Sequence, residues 1–294
     1  MLKYPKRFHV LLIWIWLMVT AGYAFGQGNE NTVQGARSAG MGNTSVCLSD
    51  SWAILNNIGA LNPDSLRTEA AVSGTGKFGT AHAGNVAMAI TGRLPNKNYS
   101  FGAGVVKFGS PLYSETRVTA GIARKINHIN MGLALNYVQN YTEGMSSKNT
   151  VLAEAGGTVL IMKKLLLAAH AYNITASSIG TERYSTVVPQ TLRTGIAFIP
   201  FKSNELILTG EAAFVPRYPA LFRAGLEYRI IEALAVRLGT EPTTSAYSCG
   251  IGVFSTYLCV DCGLNIHPEL GISSSLALKC NLKDLKLWGN TKPL

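Results

Sequence analysis

The stretch LFRAGLEYR, Leu221 to Arg229, sorts its side chains by parity. Phe222, Ala224, Leu226 and Tyr228 fall on one face of an extended chain, and Arg223, Gly225, Glu227 and Arg229 on the other. A period of two is the mark of a β-strand with one apolar and one polar surface. The pattern continues in LAVRLGTE, where Leu234, Val236 and Leu238 oppose Arg237, Gly239 and Glu241. It is already present in ELILTGEAAF, where Leu206, Leu208, Ala212 and Phe214 oppose Glu205, Thr209 and Glu211.

Working outward, about fourteen such segments fit between residues 69 and 282, the even count that bacterial outer-membrane barrels use, and many approach the length that crosses a bilayer at a tilt. Connections near 95–97, 126–128, 163–164, 201–203, 231–233 and 255–256 read as tight. Those near 109–114, 141–149, 176–190, 215–219 and 267–271 read as longer. Barrels of this kind keep short turns on the periplasmic side and longer loops outside. The residues are 47% hydrophobic and 14% charged, fewer charges than the quarter or so usual in soluble domains. The expected fold is all-β: a transmembrane antiparallel β-barrel with its ends in the periplasm. A soluble periplasmic β protein is the competing class.

The charges on the polar face predict a register. A three-residue turn at Ile231–Ala233 sets Glu227 opposite Arg237 and Arg223 opposite Glu241. A five-residue loop at Val215–Pro219 sets Glu211 opposite Arg223 and Glu205 opposite Arg229, and a turn at Phe201–Ser203 sets Arg193 opposite Glu211. Every pairing joins an acid to a base, so a ladder of charges is expected along the lumen, with Leu226 and Leu238 facing lipid. A slip of one residue would turn every charge outward.

The front of the chain reads as a secretory signal. Lys3, Lys6 and Arg7 precede the apolar run Val10–Val19, and Ala24-Phe25-Gly26 offers small residues before Gln27. The run is shorter than the roughly twenty residues a spanning helix needs. The domain plan is thus a signal at 1–26, a plug-like segment at 27–68, a barrel at 69–283 and a tail at 284–294. The segment is poor in large apolar side chains, which suits a place sheltered inside a barrel; an extended arm outside is the other placement. Ser49 or Asp50 is a candidate N-cap for a short helix there.

Formal net charge is +10, scattered without a basic run, so no nucleic-acid partner is expected. Gly74-Thr75-Gly76-Lys77-Phe78-Gly79 fits a phosphate-loop spacing, but no helix pattern follows it, and it reads as a turn. Cys259 and Cys262 are three apart, which on a strand puts them on opposite faces. The histidines are isolated in sequence. His170 and Ser177 lack a supporting motif, and neither an enzyme nor a cofactor is expected.

The segment GARSAGMGNTSVCLSDSWAILNNIGAL, Gly35 to Leu61, resembles the opening of the PorV/PorQ family of Bacteroidetes-type outer-membrane proteins, which are similar in fold to FadL transporters. Gly35, Ala36, Arg37, Met41, Gly42, Asn56 and Asn57 carry the match, with Trp52 inside the segment. Ile58-Gly59-Ala60-Leu61 transposes the usual Ala-Gly. The resemblance implies an outer-membrane barrel, exported through the Sec pathway, that serves type IX secretion as an accessory or interaction component with secretion-machinery partners. The alternative is a FadL-like transporter of small hydrophobic molecules. Outer-membrane lipid is a partner under both.

Mass analysis of the N-terminus of membrane-extracted protein should find a mature chain starting at or near Gln27; an intact Met1 would refute cleavage.

Overall fold

A computed structural model of the chain describes residues 32–64, 68–79, 84–95, 98–162, 164–181, 184–201 and 205–282. The signal and the tail at 284–294 lie outside the described residues. The strands in chain order are β1 Glu69–Gly76, β2 Gly84–Arg93, β3 Tyr99–Gly109, β4 Tyr113–Ile126, β5 Ile129–Thr142, β6 Lys148–Met162, β7 Leu165–Tyr172 and β8 Ser178–Thr181. They continue as β9 Tyr184–Val187, β10 Thr191–Phe198, β11 Leu206–Phe214, β12 Leu221–Ile231, β13 Leu234–Glu241, β14 Ala246–Phe254, β15 Leu258–His267 and β16 Gly271–Asn281.

Fourteen of these form one closed antiparallel barrel. Closure comes from β1 pairing with β16, Glu69 opposite Asn281 through Gly76 opposite Ser274. A closed barrel leaves no sheet edge and satisfies its backbone between strands, the condition for standing in hydrocarbon. The remaining two strands, β8 and β9, make a small hairpin between β7 and β10. The sequence pattern predicts only a longer connection at 176–190. Ile179 and Val188 from it pack on Val138, Leu152 and Tyr172, so the hairpin folds inward over the barrel end away from the chain termini.

Alternation decides which way each side chain points. Large outward side chains through the middle of the wall are Leu, Val, Ile, Met, Phe and Tyr; Leu208, Phe222, Tyr228 and Leu238 are exposed, Leu238 at 59%. Leu226 shares that face, between Leu208 and Leu238 on the neighbouring strands. Inward positions are polar or small, among them Glu211, Glu227, Arg237 and Asp261, all buried. A wall that is apolar outside and polar inside is built for lipid. Tyr172 points inward and is buried, with Arg117 over its ring at 5.7 Å.

Register follows the charge ladder in part. Glu227 stands opposite Arg237 and Glu211 opposite Arg223. The β12–β13 turn is shorter than the three residues expected, and a bulge between Arg229 and Ile231 takes up the difference. Arg193 does not stand opposite Glu211. It pairs with Ala213, and Gly195 faces Glu211, two residues from the expected register. Pro200 has no N–H to donate to the ladder, so β10 stops at Phe198 and the connection occupies 199–205 instead of a tight turn. A shift of two keeps the face, so Arg193 still points inward.

Leu238→Arg should destabilise the barrel in vesicles by roughly 2–4 kcal/mol, as expected for a cation near the bilayer midplane. Urea titration of refolded protein checks it; an unchanged midpoint would mean that residue 238 does not meet lipid.

Candidate functional site

The interior is occupied by the chain's own N-terminal segment. It holds two short helices, α1 Ala36–Gly40 and α2 Ala53–Asn56, and a 3-10 turn at Ile58–Ala60. α1 packs on β13 to β16, α2 on β2 to β4, and the turn on β4 to β7. Between the helices the chain meets β11: Ser45 N and Val46 N donate to Glu211 Oε2 at 2.7 and 2.9 Å. Contact with inward positions on nearly every strand places the segment inside the wall. Sequence reading missed how close the fit is, although the polar-face glycines carried the signal. Gly225, Gly239, Gly250 and Gly263 lie on four consecutive strands where Met41, Gly42, Gly40 and Ala36 approach. A Cβ on Gly225 would stand 2.5 Å from Met41 O.

The matched residues each have a local task. Gly35, at φ 94°, lies against the Trp52 ring, where any side chain would collide. Ala36 and Trp52 are fully buried. Gly42 N donates to Ser248 Oγ at 2.6 Å, and Met41 O accepts from Thr44 Oγ1. Asn56 holds Gln34 by its backbone in both directions, N to Oδ1 at 2.8 Å and Nδ2 to O at 2.9 Å. Asn57 Nδ2 donates to Val46 O, and its Oδ1 accepts from Gly59 N. Gly59 O in turn accepts from Asn130 Nδ2 at 2.7 Å, so the transposed Gly59 sits against the wall. The helix starts later than the proposed caps: Asp50 Oδ1 accepts from Trp52 N, and α2 begins at Ala53.

Arg37 joins the segment to the ladder. Its Nε and Nη2 donate to the two oxygens of Glu227 at 2.8 and 2.7 Å, and Nη1 reaches Asp50 at 3.3 Å. Glu227 also accepts from Arg237 Nε at 2.7 Å. Arg237 continues to Asp261 at 2.8 Å, and Asp261 to Lys279 at 2.9 Å. Asp261 and Lys279 were absent from the expected ladder, because Asp261 was read within the Cys-x-x-Cys stretch. A second branch runs from Glu241 through Arg223 to Glu211, at 2.7 and 3.3 Å. Burial opposes the charge of Arg37, but Glu227 and Asp50 outweigh it and hold the guanidinium above arginine's ordinary pKa. Burial and then the Glu211 carboxylate push the Cys47 thiol up to about 12, so it is inert at neutral pH.

Three expected members stand apart. Arg193 donates to Ser45 Oγ and to Asn56 O, and contacts His170 Nδ1 at 3.1 Å. The side chains of Glu205 and Arg229 do not pair: only their backbones bond, Arg229 N to Glu205 O, while the guanidinium lies over Phe254 at 4.9 Å. His170 and Ser177 are each committed elsewhere, His170 between Glu154 and Arg193, and Ser177 to Val151 O.

The apolar half of the interior lies elsewhere. Trp52, Ile54, Leu55 and Ile58 cluster with Ala71, Ala87 and Ala89 of β1 and β2. On the outer side of the same wall is a cavity of about 560 Å³, lined by residues such as Val72, Met88, Ile90, Ala103 and Leu278. Ala71, Ala89 and Gly104 form its floor, and a Cβ on Gly104 would touch Leu55 on the far side. At this point the wall is little more than backbone, with apolar groups on both sides.

Solved structures with the same fold exist. TbuX, the toluene transporter of Ralstonia pickettii, matches with a TM-score of 0.63 at 12% identity, over 86% of this chain and 99% of that one. A FadL homologue of Pseudomonas aeruginosa gives 0.62 at 11%, over 88% and 100%. TodX, the toluene transporter of P. putida, gives 0.61 at 13%, over 86% and 99%. No family model matches the sequence, and no curated protein sequence does. At these identities the likeness is one of fold.

Glu227→Gln leaves Arg37 and Arg237 short of a counter-charge and should cost about 3–5 kcal/mol. Arg37→Ala leaves Glu227 paired with Arg237 and should cost less. In both, hydrogen exchange should rise at residues 36–50 before it rises in the strands. Equal protection in wild type and both variants would mean that the bridge does not hold the segment.

Proposed function

We propose that this chain is an outer-membrane transporter of small hydrophobic molecules, with the segment at 32–64 as its plug. The observation that carries the reading is the thin apolar wall at β1 to β3. It has a lipid-facing cavity on one side and the apolar part of the plug on the other. Against β11 to β16 the interior is lined by ion pairs and offers an apolar solute little. The relatives in fold that are named toluene transporters support the same substrate class, and the apolar outer face and the fold shared with outer-membrane barrels support the outer membrane.

A second reading, an accessory barrel of PorV/PorQ type in type IX secretion, rests on the N-terminal match. Arg37, Asn56 and Asn57 all bond inward, so those residues offer no surface to a secretion partner. Pull-down from intact outer membranes separates the readings, since recovery of stable secretion-machinery proteins would favour the second.

The transport reading predicts that a bacterial host lacking such channels takes up labelled toluene several-fold faster when it makes this protein. Ala103→Trp, which fills the outer cavity, should return uptake to the vector level while the barrel keeps its heat-modifiable mobility on gels. Uptake at the vector level in wild type, or an unaffected folded Ala103→Trp, would sink it.

A further inference from the structure

A second cavity, of about 600 Å³, opens on the outer face of β3 to β5 at the end of the barrel away from the chain termini. Its chemistry is opposite to that of the groove below. Cross-strand register builds it from two rungs. Lys107, Thr116 and Gln139 are neighbours in one, and Gly109, Ser114 and Tyr141 in the next. Ser110 and Ser147 close it from the adjoining loops. The rung immediately below is Val105, Val118 and Tyr137, and below that Ala103, Ala120 and Leu135. The outward surface therefore changes from hydrocarbon to hydroxyl, amide and ammonium within one step of the pleat. Tyr137 marks the boundary, its ring outward and its OH accepting from Asn149 Nδ2 at 3.1 Å.

Apart from Ser110 Oγ, which accepts from Tyr113 N at 3.4 Å, none of the side chains lining the cavity bonds to another described residue. Outward side chains make no lumen contacts, and among the described residues no carboxylate pairs with Lys107. A surface that sets one unpaired cation among hydroxyls and an amide, directly above an apolar band, matches one kind of amphiphile: an anionic sugar head on acyl chains. The ammonium suits a phosphate, the hydroxyls and Gln139 suit sugar hydroxyls, and the exposed ring of Tyr141 can lie against a pyranose face. Both ends of the barrel chain lie at the opposite rim, which an exported barrel keeps in the periplasm, so this end meets the outer leaflet. We propose that the cavity on β3 to β5 binds the phosphorylated sugar headgroup of an outer-leaflet glycolipid, whose acyl chains lie along the apolar rungs beneath. The site rests on the membrane placement but not on the transport of any solute.

Native mass spectrometry of the whole detergent-solubilised barrel tests it, with bisphosphorylated lipid A, its dephosphorylated form, phosphatidylglycerol and glucosamine phosphate without chains as probes. One lipid A per barrel should stay bound. Lys107→Gln should weaken it about tenfold, the loss expected for one charge-assisted contact. Removing the phosphates should cost a similar factor in wild type and nothing further in the variant. Glucosamine phosphate should bind far more weakly than lipid A. Thermal unfolding of Lys107→Gln should match wild type, since the side chain supports nothing in the wall. Equal retention of phosphatidylglycerol, indifference to Lys107→Gln, or no retained lipid A would overturn the proposal. Failure of the wild-type barrel to insert into vesicles would overturn it together with the membrane placement, whereas insertion without lipid A binding overturns this site alone.

Discussion

The carboxylate of Glu227 lies between two guanidiniums, Arg37 of the inner segment and Arg237 of the wall. Taking these charges out of water is costly, and the cost is offset only while each has its counter-charge in good geometry. That condition ties distant parts of the chain together. Glu227 meets Arg237 only if β12 and β13 keep their register, and the bulge beyond Arg229 keeps it despite a short turn. Arg37 reaches the same carboxylate only if α1 lies against β13 to β16. A buried ionic chain from Asp50 to Lys279 therefore does more to fix the position of the segment than to add net stability.

Close approach is the second constraint, and it follows from the first. Helix α1 can bring Arg37 to Glu227 only if its backbone comes down onto the sheet. The sheet admits it through glycine on β12, β13, β14 and β15, two of which, Gly225 and Gly239, face each other across the strands. The segment answers with Gly40, Gly42 and Ala36. Gly42 takes a left-handed φ of 66°, which turns its N–H toward Ser248. This is why the stretch from Gly35 to Gly42 carries so few large side chains: where it meets β12 to β15, space for them does not exist. Further along, Ile54, Leu55 and Ile58 return because the wall there meets them with glycine, at Gly102, Gly104, Gly121 and Gly132.

The strands were legible from parity alone, since each buries one face and period two survives any error at its ends. Register was legible where a turn has a single short solution, as at β12–β13. It was not legible at β10–β11, where Pro200 lengthens the connection. The ladder members fared by the same rule. Glu227, Arg237, Arg223, Glu241 and Glu211 come together, while Arg193 is drawn off by the carbonyl of Asn56. That carbonyl belongs to the segment, and nothing in the local sequence of β10 announces it. Asp261 and Lys279 lay on segments whose alternation was read without their charges being matched. The hairpin β8–β9 was lost among polar turn residues, because its packing on Leu152 and Tyr172 is visible only once the barrel is closed.

The interior is thus divided by energy as well as by chemistry. Against β11 to β16 the segment is held by ion pairs and by N–H groups bonded to a carboxylate, and displacing it there strips charges of their partners. Against β1 to β3 it is held by apolar contact and by hydrogen bonds from Ser51 to Glu69, from Asn85 to Gln34 and from Ser100 to Leu61 O, with no ion pair to these strands among the described residues. A hydrophobic solute that displaced Ile54 or Leu55 from the wall would replace the buried apolar area it removed, so the exchange is nearly balanced. Motion of the segment is cheapest where the wall is thinnest and the outer surface already concave. On the transport reading proposed above, the solute's route lies where the segment meets the wall without ion pairs.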